Sequence, residues 1–172
     1  MRHVPVKEDI AKVYLPHHAT AAWALTKLGE YQFNKLHSFS VVRHPLDRAY
    51  SHYQFTRRHG NHHWHKRMMS AGFNDYLEYL ASKPSSRRPA QTDFVFGADS
   101  RLLVNSILRF ETLEADFAAL CSRLELPVLS KLGTHNRSPE NPQRAEALAD
   151  QRARKLVADI YATDFAAFGY QV

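Results

Sequence analysis

Arg43 and Ser51 stand eight residues apart in the stretch His37–Tyr53, HSFSVVRHPLDRAYSHY, and Pro45 between them marks a helix start. A guanidinium presents a planar fork of donors that matches phosphate oxygens, and a hydroxyl adds one more. Converging beside a helix start, the two would make a phosphate site. The missing N–H and preset φ of proline suit a first helical turn. Upstream, Phe39, Val41 and Val42 read as a short strand. A strand running straight into a helix sets backbone N–H groups and the positive helix end at a sheet's carboxyl edge, where open α/β folds bind anions. The same residues also suit a plain strand–turn–helix with a surface arginine and an ordinary helical serine.

Four histidines, His59, His62, His63 and His65, crowd the stretch TRRHGNHHWHKRMMS at 56–70 and raise the question of a metal. Zinc sites pair such histidines with a second ligand pair, often cysteines. Here the single cysteine, Cys121, is far along the chain and the cluster holds no acidic residue. The stretch therefore predicts a solvated basic loop and no metal site. With Trp64, such a loop could also touch an acidic polymer through charge and stacking.

The elements that must position these residues follow from periodicity. Thr20 caps a helix in ATAAWALTKLG, with Ala21, Leu25 and Leu28 on one face and Gly29 as its stop. Leu46, Tyr50 and Tyr53 stripe the helix after Pro45, and Phe73, Tyr76, Leu77 and Leu80 stripe another over 73–82. Lys83–Ala90 predicts a mobile loop and Gln91–Gly97 a short extended piece. Ser106–Phe110 reads as a second buried strand, followed from Thr112 by a helix with Leu113, Phe117, Leu120 and Leu124 on one face. Cys121 falls in that helix as a buried structural thiol. Ser130–Gln143 is a loop, and a last helix spans roughly Arg144–Tyr161, with Ala149, Ala153, Leu156, Val157 and Ile160 inward. Asp164–Tyr170 closes the chain as an aromatic docking segment. Strands alternating with helices predict an α/β fold with a small parallel sheet, helix-rich.

The whole chain, 172 residues, reads as a single domain with an irregular segment over 1–16. Its net charge of +6 favours an anionic ligand: nucleotide, sulfated sugar or nucleic acid. A basic nucleic-acid binder is disfavoured, because no helix-turn-helix, RNA-recognition or zinc-finger pattern is present. Without an apolar leader or a stretch long enough to span a bilayer, the sequence predicts a cytoplasmic protein.

Together these pieces resemble the sulfotransferases, most closely those that sulfate carbohydrates. FSVVRHPLDRAYSHY looks like that family's element for the 3′-phosphate of the sulfate donor: an arginine ending a strand, then x-Pro-x-x-Arg, then a serine. HHATAAWALTKLG at 17–29, GFNDYLEYL at 72–80, ILRFETLEADFAALCSRLELP at 107–127 and IYATDFAAFGY at 160–170 are similar to further family elements, in the family's order. The resemblance implies a P-loop-like fold and transfer of a sulfuryl group from 3′-phosphoadenosine 5′-phosphosulfate to a hydroxyl acceptor such as a carbohydrate, without a metal. It implies that Arg43 and Ser51 hold the 3′-phosphate. Arg48 belongs to the same pattern, with an ion pair to Asp47 or Glu111 as the alternative. Arg137 and Ser138 would lie in a late loop that closes over the nucleotide. His18, with His17 second, would be the general base, and Glu111 would orient an arginine or touch the acceptor. The family's upstream lysine- and glycine-containing loop for the 5′-phosphosulfate has no counterpart, since no glycine precedes Gly29. The resemblance therefore predicts an N-terminally incomplete or inactive enzyme, or else a binding module for a phosphorylated nucleotide or anionic glycan.

Overall fold

The computed structural model describes residues 16–128, 132–133 and 142–172. In chain order its helices are α1 (Ala21–Leu28), α2 (Glu30–Lys35), α3 (Pro45–Arg58), α4 (His65–Met68), α5 (Phe73–Ala81) and α6 (Thr92–Val95). They continue with α7 (Leu113–Arg123), α8 (Gln143–Ala149), α9 (Gln151–Ile160) and α10 (Ala162–Phe168). Strands β1 (Phe39–Val42) and β2 (Ser106–Arg109) pair as a small parallel sheet. The fold is the helix-rich α/β arrangement that the alternation of elements predicts, and both strands lie where the sequence places them. Contacts divide the chain into two compact units, one holding residues up to Ser40 with Gln91–Ile107, the other Val41–Ala90 with Leu108–Val172.

In the first unit, the Thr20 hydroxyl accepts the Trp23 N–H at 3.0 Å and starts α1. Gly29 ends it at φ 75°, a conformation that side-chain-bearing residues rarely adopt. The chain then re-enters helix as α2, anchored by buried Phe33. A six-residue helix is too short to show a period. Gln91–Gly97 is not extended as expected: it makes the single helical turn α6, because Val95 has to reach the interior, where it is 2% exposed. Phe96 then bridges Leu102 antiparallel. The Asn105 side-chain oxygen accepts the Ser38 N–H at 2.9 Å, and the His37 ring bonds the Ser106 hydroxyl at 2.8 Å.

The second unit is built on α3, which packs against α4, α5, α8 and α9. Its predicted stripe of Leu46, Tyr50 and Tyr53 is buried, together with Ala49. From α5, Tyr76, Leu77 and Leu80 meet Ala153 and Val157 of α9 in the same core. The predicted helix Arg144–Tyr161 is two helices. The Asp150 carboxylate leaves the helical path to accept the Ala153 N–H at 3.0 Å and the Asn74 amide at 3.1 Å, capping α9 afresh. The break resets the phase, so Ala149 is exposed while Ala153 and Val157 are fully buried. The basic loop expected at 56–70 is only partly one. The α3 helix runs on to Arg58, α4 follows, and Trp64 and Met68 are core residues, because apolar area in a polar stretch is still worth burying. Lys83–Ala90 carries a 3-10 turn over Ser85–Arg87. Cys121 is buried as predicted. The closing aromatic segment forms α10, ended by Gly169 in the left-handed region.

Candidate functional site

In the second unit, β1 delivers Arg43 to the start of α3. His44 is the N-cap: its Nδ1 accepts the Leu46 N–H at 3.3 Å, and its Nε2 meets the Gln171 carbonyl at 2.9 Å, which assigns the proton to Nε2. The ring is held edge-on to Phe165 and Tyr170. The His44 N–H donates to Glu111 Oε1 at 2.6 Å, and the Tyr170 hydroxyl donates to Glu111 Oε2 at 3.0 Å. Burial, and then the adjoining Glu111 carboxylate, push the Tyr170 hydroxyl well above the ordinary tyrosine range, so it stays a donor. Glu111, in the 3-10 turn that follows β2, thus secures the backbone of the β1–α3 turn and ties the chain's closing segment to it.

Arg43 lies along this turn with its guanidinium stacked 4.4 Å from the Phe110 ring centroid. Its Nε and Nη2 each approach Asp47 Oδ2 at 2.6 Å. The other oxygen, Oδ1, accepts from Arg144 Nη2 of α8. Ser51 follows Asp47 by four residues, so the two share one flank of α3, with Arg43 just before its start. Ser51 is half-buried, and its hydroxyl makes no hydrogen bond among the described residues. The flank can offer an anion two guanidinium groups and a hydroxyl.

Arg48 turns elsewhere. Its Nη2 donates to the Pro89 carbonyl at 2.9 Å, its Nη1 lies 3.9 Å from the fully buried Asp164 carboxylate, and its guanidinium faces the Tyr161 ring at 5.3 Å. The ion pair anticipated for Arg48 is therefore made with Asp164, since Asp47 is engaged by Arg43 and Arg144. His17 and His18 lie in the first unit, exposed in the turn before α1, with His18 at φ 63°. Arg137 and Ser138 fall outside the described residues. Phe110 and Arg144 are the contributors that sequence reasoning missed, and Asp47, expected beside Arg48, pairs with Arg43 and Arg144 instead. The i, i+4 spacing of Arg43 and Asp47 was a usable signal, whereas nothing local marks Arg144, 97 residues from its partner.

A model of the sulfotransferase family matches residues 14–171, nearly the whole chain. The chain belongs to the sulfotransferase family. Comparison with curated proteins and with solved structures gives no match. Among the described residues no group of three or more His, Cys, Asp or Glu side chains could hold a metal, and no helix is long and apolar enough to cross a membrane. The histidines of 59–65 are engaged with rings and backbone. His59 stacks on Phe55 at 3.9 Å, His62 on His63 at 4.5 Å, and His65 Nδ1 meets the Thr56 carbonyl at 3.1 Å.

Proposed function

We propose that this sulfotransferase-family chain binds 3′-phosphoadenosine 5′-phosphosulfate through its 3′-phosphate, at Arg43 and Ser51, and serves sulfuryl transfer to a hydroxyl acceptor, a carbohydrate. The observation that carries this reading is the Arg43–Asp47–Ser51 flank at the carboxyl end of β1. There Nε and Nη2 of Arg43 both reach one carboxylate oxygen, Asp47 Oδ2, and a phosphate oxygen can accept the same two N–H groups. The residues therefore fit a phosphate monoester. The family match runs through both units, which supports reading residues 14–171 as one sulfotransferase domain.

When bound, the donor supplies an activated sulfuryl group whose transfer depends on positioning and charge stabilisation. On this reading Arg43 and Ser51 anchor the nucleotide end and Glu111 fixes the turn that carries Arg43. His18, with His17 second, takes the proton of the acceptor hydroxyl, and Arg137 and Ser138 add contacts to the nucleotide. Arg48 has a structural role. A second reading, a module that holds a phosphorylated nucleotide or anionic glycan without transfer, rests on the same Arg43–Asp47–Ser51 cluster, which accounts for anion binding alone.

Calorimetry with 3′-phosphoadenosine 5′-phosphate against adenosine 5′-phosphate tests the binding claim. The 3′-phosphate should tighten binding by about tenfold or more, the scale of one charge-assisted contact. Arg43→Ala should remove that gain. An equal affinity for the two nucleotides would end both readings, and transfer of labelled sulfate to a hydroxyl-acceptor panel separates the first from the second.

A further inference from the structure

The Arg43–Asp47 pair is one half of a larger arrangement. Asp47 is a bridge: Oδ2 faces Arg43 and Oδ1 faces Arg144, so two guanidinium groups, one from the β1–α3 turn and one from α8, converge on one carboxylate. The bridge is sheltered, with the Asp47 side chain 15% exposed and that of Arg43 25%. The Arg144 side chain is 50% exposed and can be reached from solvent. The half-buried Ser51 follows Asp47 one turn further along α3.

From this geometry, and resting on the nucleotide-binding reading above, we infer that Arg144 is a second ligand of the nucleotide's 3′-phosphate, with Asp47 positioning it beside Arg43. A carboxylate and a phosphate present oxygen pairs of similar span to guanidinium donors. Two guanidinium groups gathered on a carboxylate are therefore already spaced to share a phosphate. Without Asp47, two like charges this close would repel and swing apart. The carboxylate keeps both near the place where the phosphate arrives. A phosphate carrying close to two negative charges then draws on both cations and on the Ser51 hydroxyl. Arg43 reads the ligand from the β1–α3 turn and Arg144 from α8, so the clamp closes on the phosphate from two elements.

The test measures the affinity ratio of 3′-phosphoadenosine 5′-phosphate to adenosine 5′-phosphate in the full chain and in Arg144→Ala, Arg144→Gln and Arg43→Ala. The expected result is a fall of about tenfold in the ratio for either Arg144 variant, with affinity for adenosine 5′-phosphate unchanged. Arg144→Gln keeps more of the stem, and so covers the case in which alanine loosens α8. A purely structural Arg144 would lower thermal stability and leave the ratio alone. That result, with the ratio still abolished by Arg43→Ala, overturns the inference and leaves the nucleotide-binding reading standing. A wild-type ratio near one overturns both, so the two failures are distinguishable.

Discussion

Replacing Arg48 by methionine separates its structural place from the phosphate chemistry that its position in the sequence motif suggests. Asp164 has a side chain with 0% exposure, and Arg48 Nη1 lies 3.9 Å away from it. Removing one partner of a buried ion pair costs about 3–5 kcal/mol, because the remaining charge is stranded in a low-dielectric site. The separation here is long and the arginine side chain is 28% exposed. Both reduce the coupling, and solvent screening reduces it further, so we place the loss at ~2–3 kcal/mol. That figure includes the bond to the Pro89 carbonyl, while methionine retains most of the packing on Tyr161. For a chain of this size each kcal/mol moves the melting temperature by about 2–4 °C, so a fall of roughly 4–12 °C is expected. Paired urea and thermal melts of Arg48→Met, Asp164→Asn and the double variant should show a coupling of about 1 kcal/mol or more. Below the melting range, the preference for a 3′-phosphorylated nucleotide should persist. A variant that melts like the parent and loses that preference would refute the reasoning, and would place Arg48 on the ligand.

Two further outcomes follow from the second unit. His52 lies beside Tyr76, whose hydroxyl meets Nδ1 at 2.7 Å, and beside Trp64 and His62. Burial, then His62, Arg48 and His63, lower its pKa from 6.5 to about 4. Between those values the unfolded chain binds a proton that the fold refuses, so stability is full above pH 6.5 and falls as the pH drops towards 4. His52 is nonetheless exposed by surface area although its ring is crowded by its neighbours, and solvent screening therefore discounts the effect to ~1–2 kcal/mol. Urea midpoints at pH 7 and pH 5 should differ in that direction, and His52→Gln should flatten the difference. If the midpoints of the parent match, the account of His52 fails. Trp64→Ala should cost ~3–5 kcal/mol, as for other large core truncations, although its neighbours in sequence are basic and polar. A loss below about 1 kcal/mol in a denaturant titration would show that Trp64 behaves as a surface residue.

Local spacing carried most of what the sequence revealed. Thr20 and Gly29 bound α1 because a cap and a stop each act within one turn. The stripes of α3 and α5 were legible because each helix buries a single face. Elements without a period were not: α2 and α6 span six and four residues, and only Phe33 and Val95 hold them to the interior. The break at Asp150 was missed because alanine and leucine continue through it in helical rhythm, while the competing bond to Asn74 comes from 76 residues away. The misreading of 56–70 had another cause. Its composition is that of a surface loop, yet Trp64 and Met68 outweigh it, since a few large apolar side chains decide burial when the charged ones can stay wet.

The same asymmetry runs through the site. Arg43, Asp47 and Ser51 recur at the interval that lines one helix flank, so the motif spacing encodes their proximity directly. Arg144 enters from a distant segment, and only folding brings it to Asp47. The consequence for recognition is energetic. A phosphate arriving at this flank does not meet a bare cation. It meets guanidinium groups whose fork already serves a carboxylate, so binding is an exchange, and only the difference between the two anions contributes to affinity. A carboxylate or a sulfate ester, each with one negative charge, gains little from displacing or sharing Asp47. A phosphate monoester approaches two negative charges at neutral pH and gains from both arginines at once. On the nucleotide-binding reading, the internal carboxylate thus acts as a threshold. It lowers absolute affinity, and it biases the clamp toward the 3′-phosphate over the singly charged groups that an acidic glycan would present.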